Sequence, residues 1–363
     1  MDNKNRLMLI SGVTNFAFYD YNSFPEINCY NYYTKYINQI YNEVKTVSYS
    51  RYSERNLNFN FINRFDINGI AFIKDNDDYV HINEGALYKV YKKFSELVIS
   101  GAFSEYTYIK QVANCQVNLE NEEVTEEQFI YKIPDDYNGK LISEYLSMFA
   151  MKFIILHELG HHINGHLLYI KEKYGVNSWY TRGNRQNVPD VLIRTLEMDA
   201  DAFAISQLVR EFQELIINDS KFSSLAMPNE IKLGLFIFAI HVLFIILGEG
   251  IEPDVSSSKY MIRKARYVYN ISCLETNLKL RYSEFYASIN FDYVTSYYWV
   301  YTEKLYHKVF GVDNKLIEDM NKVISDFRNL DEMEKTWNSI HDELFKFARI
   351  PIASKYVLSK KKR

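Results

Sequence analysis

Histidines and a glutamate with metal-binding spacing lie in one short stretch, HELGHHINGH, which runs from His157 to His166. Four of the eight histidines of the chain fall within it. On a helix, His157 and His161 lie one turn apart on the same face, so both imidazoles can reach one metal ion. Glu158 is rotated by about 100°, which is too far for an easy third ligand but near enough to reach a water on that ion. The stretch therefore predicts a metal site that activates water and takes its third ligand from elsewhere.

A second motif, LEMDADAFA at residues 196–204, offers that ligand on another helix. Its spacing places five residues on one helical face: Glu197, Ala200, Asp201, Ala204 and Leu208. A purely structural amphipathic helix rarely buries two acids, because each needs a partner or a metal to offset its desolvation. The two alanines would also let another helix approach closely. Both motifs together make a packing-only role the less favoured alternative.

The pair HELGH and ExxAD resembles the gluzincin zinc metallopeptidases, in particular the group related to the CAAX-prenyl and heat-shock membrane proteases. The resemblance implies that His157, His161 and Glu197 bind one zinc ion per chain. It also implies that Glu158 is the general base and that Asp201 orients a ligand from behind. The motif pair is similar as well to the Lit-type phage-exclusion peptidases, which cut a host translation factor.

The function implied by this resemblance is that of a zinc-dependent metalloendopeptidase acting on a protein or peptide substrate. Water activated at the metal attacks the peptide bond, and Glu158 accepts its proton. Two alternatives stay open: a membrane-associated processing or quality-control peptidase, and a non-catalytic binding or regulatory module braced by zinc. Glu158 argues against the module, since a structural site would use a fourth ligand and gains nothing from a base.

Composition narrows the class of protein. The net charge of −4 disfavours nucleic acid as the main partner, because a surface that follows phosphates is usually basic. The three cysteines lie far apart and form no C-x-x-C pair, which indicates a reducing compartment. Position 2 is acidic, and no basic start precedes a long apolar region, so no signal peptide is predicted. We expect the protein in the cytoplasm.

The predicted fold is α+β and mostly helical, with a zincin-like catalytic core, a small N-terminal β-sheet or hairpin and a helical C-terminal cover. Residues 1–363 are expected to form a single domain, since no linker-like stretch interrupts them. Its predicted parts are an N-terminal α/β part with an edge hairpin (1–103), an insertion (104–140), a catalytic helical core (141–250) and C-terminal helices (251–363).

Hydrophobic periodicity predicts the elements that position the motifs. A strand at 7–11, a helix at 33–44, a β-hairpin at 70–73 and 79–82, and a helix from 87 to about Gly101 come first. The hairpin region, 68–87, resembles the strand, turn, strand and helix start of the gluzincin group, although Gly69 and Ile70 interrupt the match. An exposed strand edge there could hold an extended peptide by main-chain hydrogen bonds.

Chain punctuation predicts the ends of the catalytic helices. Asn164 and Gly165 suit a helix end, and Pro189 with Asp190 suits the start of the helix that carries the second motif. Between them, 171–189 is predicted as a loop. His162 and His166 are predicted to lie off the ligand face, with capping and packing roles favoured over contact with substrate or base.

The apolar run at 233–247, which contains His241, spans about 22 Å as a helix, short of the roughly 30 Å of bilayer hydrocarbon. A buried helix is therefore favoured, and membrane association stays open. Beyond it, two apolar helical stripes are predicted at 316–327 and 333–347. In the gluzincin group a cation or polar group after the apolar helix often stabilises the transition state. Three side chains lie in that region, and the sequence does not select among them: Tyr260, Arg263 and Arg266.

Overall fold

The computed structural model describes a chain dominated by helices. The described residues are 29–48, 54–62, 64, 66–121, 124–176, 178–179, 188–212, 225–248, 263–311 and 320–355. The described strands are β1 (Leu57–Ile62), β2 (Gly69–Lys74), β3 (Asp77–Asn83), β4 (Val112–Asn121), β5 (Val124–Pro134) and β6 (Ser178–Trp179). The described helices are α1 (Cys29–Val47), α2 (Glu84–Ile99), α3 (Tyr137–Ile163), α4 (His166–Tyr174), α5 (Asp190–Phe212), α6 (Asn229–Gly248), α7 (Arg263–Arg281), α8 (Ser283–Ala287), α9 (Phe291–Phe310) and α10 (Met320–Leu344). The predicted α+β, mostly helical class is confirmed.

Strands β1, β2, β3 and β6 form one sheet in the order β1-β3-β2-β6. The predicted hairpin is confirmed as the antiparallel pair β2 and β3, whose turn passes through Asp75 at a φ of 54°. Alternate residues of both strands are buried, which gives the sheet one core face. The short strand β6, which the sequence did not predict, pairs with β2 at Ala71 and Phe72.

Residues 104–140, predicted as an insertion, contain the two-stranded antiparallel sheet of β4 and β5. Helix α3 begins directly after it, where the side chain of Asp136 accepts a hydrogen bond of 2.8 Å from the backbone N–H of Gly139. This is the usual N-cap arrangement, in which a side-chain oxygen satisfies a donor of the first turn. Every residue of α3 from Leu141 to Ile163 is buried, so the helix that carries the HELGHH residues is the centre of the core.

The predicted ends of the catalytic helices are confirmed. Helix α3 is capped by Asn164, and Gly165 follows at a φ of 81° in the left-handed region. Helix α5 begins at Asp190. The two helices pack closely beside the site, because a Cβ on Gly160 would lie only 3.3 Å from the Cα of Ala200. Small residues on both helices therefore determine the distance between α3 and α5, and with it the separation of the side chains that the two helices contribute to the site.

The apolar run at 233–247 forms most of α6 and is buried from Leu233 to Ile246, as predicted. Within the described ranges, α6 is the one helix long and apolar enough to cross a bilayer, yet 78% of its most apolar window is buried inside the protein. Its Gly234 lies against the ring of Tyr298 on α9. The Nε2 of His241 lies 2.9 Å from a carboxylate oxygen of Glu303, so this buried histidine has a hydrogen-bonding partner.

Helices α7 to α10 follow, and the second predicted C-terminal stripe is confirmed. Its buried members are Met333, Trp337, Ile340, Leu344 and Phe347. The predicted helix at 33–44 is likewise confirmed as part of α1, with Tyr33 and Ile37 fully buried. The predicted strand at 7–11, Tyr260 and residues 316–319 of the first stripe lie outside the described residues, while residues 320–327 are helical and begin α10.

Candidate metal and catalytic site

The structure brings His157 and His161 on α3 together with Glu197 on α5. The two Nε2 atoms lie 3.3 Å apart, and the Nε2 of His157 lies 3.3 Å from an oxygen of Glu197. One ligand atom from each residue lies within 4.8 Å of the others. Zinc–ligand bonds of about 2.0–2.1 Å at tetrahedral angles put neighbouring ligand atoms roughly 3.3–3.4 Å apart. The donor types and two of the three separations therefore fit a zinc ion.

Negative charge surrounds His157. Its Nδ1 lies 2.7 Å from Asp201, and its Nε2 faces Glu197. Burial lowers the pKa of His157, but the hydrogen bonds and charges of Asp201 and Glu197 outweigh burial and raise this pKa to about 10. Without a metal, the imidazole of His157 is therefore protonated on both nitrogens at neutral pH and is a cation. The position between His157 and Glu197 therefore favours a cation.

Asp201 is held from behind by a cation and an amide. The Nε and Nη2 of Arg266 each lie 2.6 Å from its oxygens, and the Nδ2 of Asn270 donates to it at 3.1 Å. Burial raises the pKa of Asp201, but Arg266 and His157 together bring it well below the usual range. The group is an ionised acceptor, as a partner for the far nitrogen of a ligand histidine should be. Arg266, left without a role by the sequence, belongs to this cluster.

Glu158 packs against the start of strand β2. A Cβ built on Gly69 would lie 2.8 Å from the Cγ of Glu158 and 3.0 Å from its Oε1. Only a residue without a side chain leaves this space to the glutamate. In the sequence, Gly69 interrupts the match to the gluzincin hairpin; a glycine inside a strand is also a signal of close approach by another group.

His166 contacts a proposed ligand, an arrangement that the sequence did not predict. Its Nδ1 lies 3.0 Å from the Nδ1 of His161, and its Nε2 lies 3.0 Å from Asp199. The same Asp199 oxygen accepts a hydrogen bond of 2.6 Å from the Nδ2 of Asn164. Helical periodicity does not reveal this contact, because it depends on the change of chain direction at Gly165.

His162 lies off the ligand face, as predicted. Its Nε2 donates to the backbone carbonyl of Tyr79 at 2.9 Å, and its Nδ1 lies 3.4 Å from Asp78. Asp78 also pairs with Arg55 and with the buried Arg349 near the C-terminus. Burial raises the pKa of Asp78, but these cationic and hydrogen-bonding neighbours bring it well below its usual range. The cluster ties strand β3 to the end of α3.

The Peptidase U49 family model matches residues 86–250 of the chain. The matched region runs from α2 through α6 and contains His157, Glu158, His161, Glu197 and Asp201. This similarity supports a peptidase, whose substrate is a protein. No curated protein and no solved structure matches the chain.

Proposed function

We propose that the protein is a zinc-dependent endopeptidase. The observation that carries the proposal is the meeting of three donor atoms from α3 and α5, with the carboxylate of Glu158 next to the first ligand in the sequence and buried beside β2. Similarity to a peptidase family over the region that holds both motifs supports the same activity.

Each residue then has one task. His157, His161 and Glu197 would hold the ion, and zinc, when bound, supplies a Lewis acid that lowers the pKa of water towards about 7. Glu158 accepts the proton of the attacking water and later delivers it to the departing amine. Asp201 keeps a proton on the Nδ1 of His157, so that the Nε2 lone pair of this imidazole faces the other donors.

The substrate proposed for this site is an extended segment of a protein. Strand β2 begins at Gly69, next to Glu158, while β6 pairs further along at Ala71 and Phe72. A peptide lying alongside the Gly69 end could form main-chain hydrogen bonds, which are indifferent to side-chain sequence. A host protein in the cytoplasm, as for Lit-type peptidases, is the proposed target; burial of α6 supports this location over the membrane-associated alternative.

The experiment compares the native protein with Glu158→Gln in a host lysate, with newly formed N-termini labelled and sequenced. We expect new termini only with the native protein, and one bound zinc per chain in both. His157→Ala is the control that should lose the metal and the activity together. Equal cleavage by Glu158→Gln would refute the role of Glu158 as general base. If the native protein bound zinc but cleaved nothing, the non-catalytic module would be favoured.

A further inference from the structure

We propose that His166 is a positioning residue for His161: together with Asp199 it fixes the tautomer and orientation that present the Nε2 of His161 to the metal. The proposal rests on the proposed zinc site. It assigns a role in that site to two residues that are neither proposed ligands nor the proposed base.

A continuous buried chain of contacts carries this proposal. His161 and His166 are fully buried, and Asp199 is 7% exposed. The Nδ1 atoms of the two histidines lie 3.0 Å apart, and the Nε2 of His166 lies 3.0 Å from Asp199. On its other edge, His161 points its Nε2 at the Nε2 of His157, 3.3 Å away. Each ring nitrogen of His161 and of His166 therefore faces a specific neighbour.

The donors and acceptors in this series of hydrogen bonds can be assigned in order, starting from Asp199. Asp199 as a carboxylate only accepts, so the Nε2 of His166 must donate to it. A neutral His166 then has a lone pair on Nδ1, and the Nδ1 of His161 must be the donor across the 3.0 Å contact. The Nε2 of His161 is left without a proton. Every hydrogen bond in the chain thus points away from the metal position, which is the arrangement that a zinc-binding imidazole needs.

Gly165 explains how His166 reaches His161. In an unbroken helix, residues five apart would point about 140° away from each other. Helix α3 ends at Ile163 instead, and Gly165 at a φ of 81° starts α4 in a new direction. A side chain at Gly165 would also meet the backbone of Phe347 and Ala348 at 2.6 Å. The bend that places His166 is therefore restricted to glycine on two grounds.

The two ligand histidines are supported from different sides of α5. Asp201 shares the face of Glu197 and reaches His157 directly at 2.7 Å. Asp199 lies two residues earlier, rotated by about 200° from Asp201, so it points away from that face. The imidazole of His166 bridges the remaining distance, accepting from His161 on one side and donating to Asp199 on the other.

The first test needs no metal. In metal-free protein labelled with ¹⁵N-histidine, long-range ¹H–¹⁵N correlation spectra distinguish Nδ1–H from Nε2–H imidazoles, and His161→Gln identifies the signals of His161. We expect His161 with its proton on Nδ1 and His166 with its proton on Nε2. The opposite tautomer of His161 in the native protein would overturn the proposal.

The second test measures zinc affinity by competition with a chromophoric chelator. His166→Leu removes both contacts and should weaken binding by about 10–100-fold, the usual scale for losing the partner of a ligand histidine. His166→Asn places an amide oxygen near the former Nδ1 and should restore most of the affinity. His162→Leu is the matched control, since it removes a neighbouring buried histidine that contacts Tyr79 and Asp78 instead.

The outcomes separate this proposal from the proposed function. Native affinity in His166→Leu, or an equal loss in His162→Leu, would overturn the positioning role while the zinc site stands. If His157→Ala still bound zinc as the native protein does, the proposed metal site would be refuted, and so would the positioning role that depends on it. Circular dichroism on each variant confirms that affinities are compared between folded proteins.

Discussion

Gly69→Ala tests the position of Glu158 without touching any proposed ligand. The three atoms nearest to the added methyl group would be the Cγ and Oε1 of Glu158, at 2.8 and 3.0 Å, and the Cδ1 of Ile82 at 3.0 Å. Carbon atoms pack at about 3.5–4.0 Å, so the Glu158 side chain must move by roughly 1 Å. A misplacement of this size costs on the order of 100-fold in rate.

The assay compares kcat and zinc content on a peptide that contains the cleavage site found in lysate. We expect kcat for Gly69→Ala to fall about 100-fold, with one zinc still bound. Gly175→Ala is the control: a Cβ there meets nothing within 4 Å, but its φ of 68° makes alanine unfavourable by about 1–2 kcal/mol. It should lose stability and keep kcat. Native kcat in Gly69→Ala would refute the inference that Glu158 must occupy this space.

Three further predictions concern the ligands and the core. Asp201→Asn should weaken zinc binding by about 10–100-fold and lower the free energy of unfolding by about 3 kcal/mol, because it also leaves Arg266 without its carboxylate; native zinc affinity would contradict this. The pKa of His157 is raised to about 10, so protonation of His157 stabilises the folded, metal-free protein. This contribution to the free energy of unfolding is fully present below about pH 6.5 and is lost as pH rises through about 10. Zinc must displace that proton, so calorimetry at pH 7–8 in buffers of different ionisation enthalpy should show proton release; a buffer-independent heat would contradict it. In Gly234→Ala the new Cβ would lie 2.0 Å from the Tyr298 ring, so the free energy of unfolding should fall by about 1–3 kcal/mol or more. Thermal unfolding measures this loss, and an unchanged melting temperature would refute the close packing.

The parts of the site that follow helical periodicity could be predicted from sequence. His157 and His161 face one way because they are four residues apart, and Glu197 and Asp201 share a face for the same reason. The helix ends at Gly165 and Asp190 were also predictable, since glycine, proline and acidic residues mark them locally. Short-range geometry therefore determined most of the proposed ligand set.

The contacts that sequence reasoning missed depend on a change of chain direction or on pairing over long distances. His166 meets His161 only because the left-handed residue between them redirects the chain. Arg266 follows Asp201 by 65 positions, and Gly69 precedes Glu158 by 89 positions, so no helical repeat relates them. Such partners are selected by packing of the whole core, which the periodicity of one segment does not contain.

The close approach of α3 and α5 at Gly160 and Ala200 has a consequence for the number of ligands that the ion can take. Calcium takes six to eight oxygen ligands at about 2.3–2.6 Å, whereas zinc needs only three protein ligands and a water. To bring more ligands to the ion, the helices would have to separate and lose the contacts of Gly160 with Ala200 and Phe203. Tight packing between the two helices thus favours an ion that accepts few ligands.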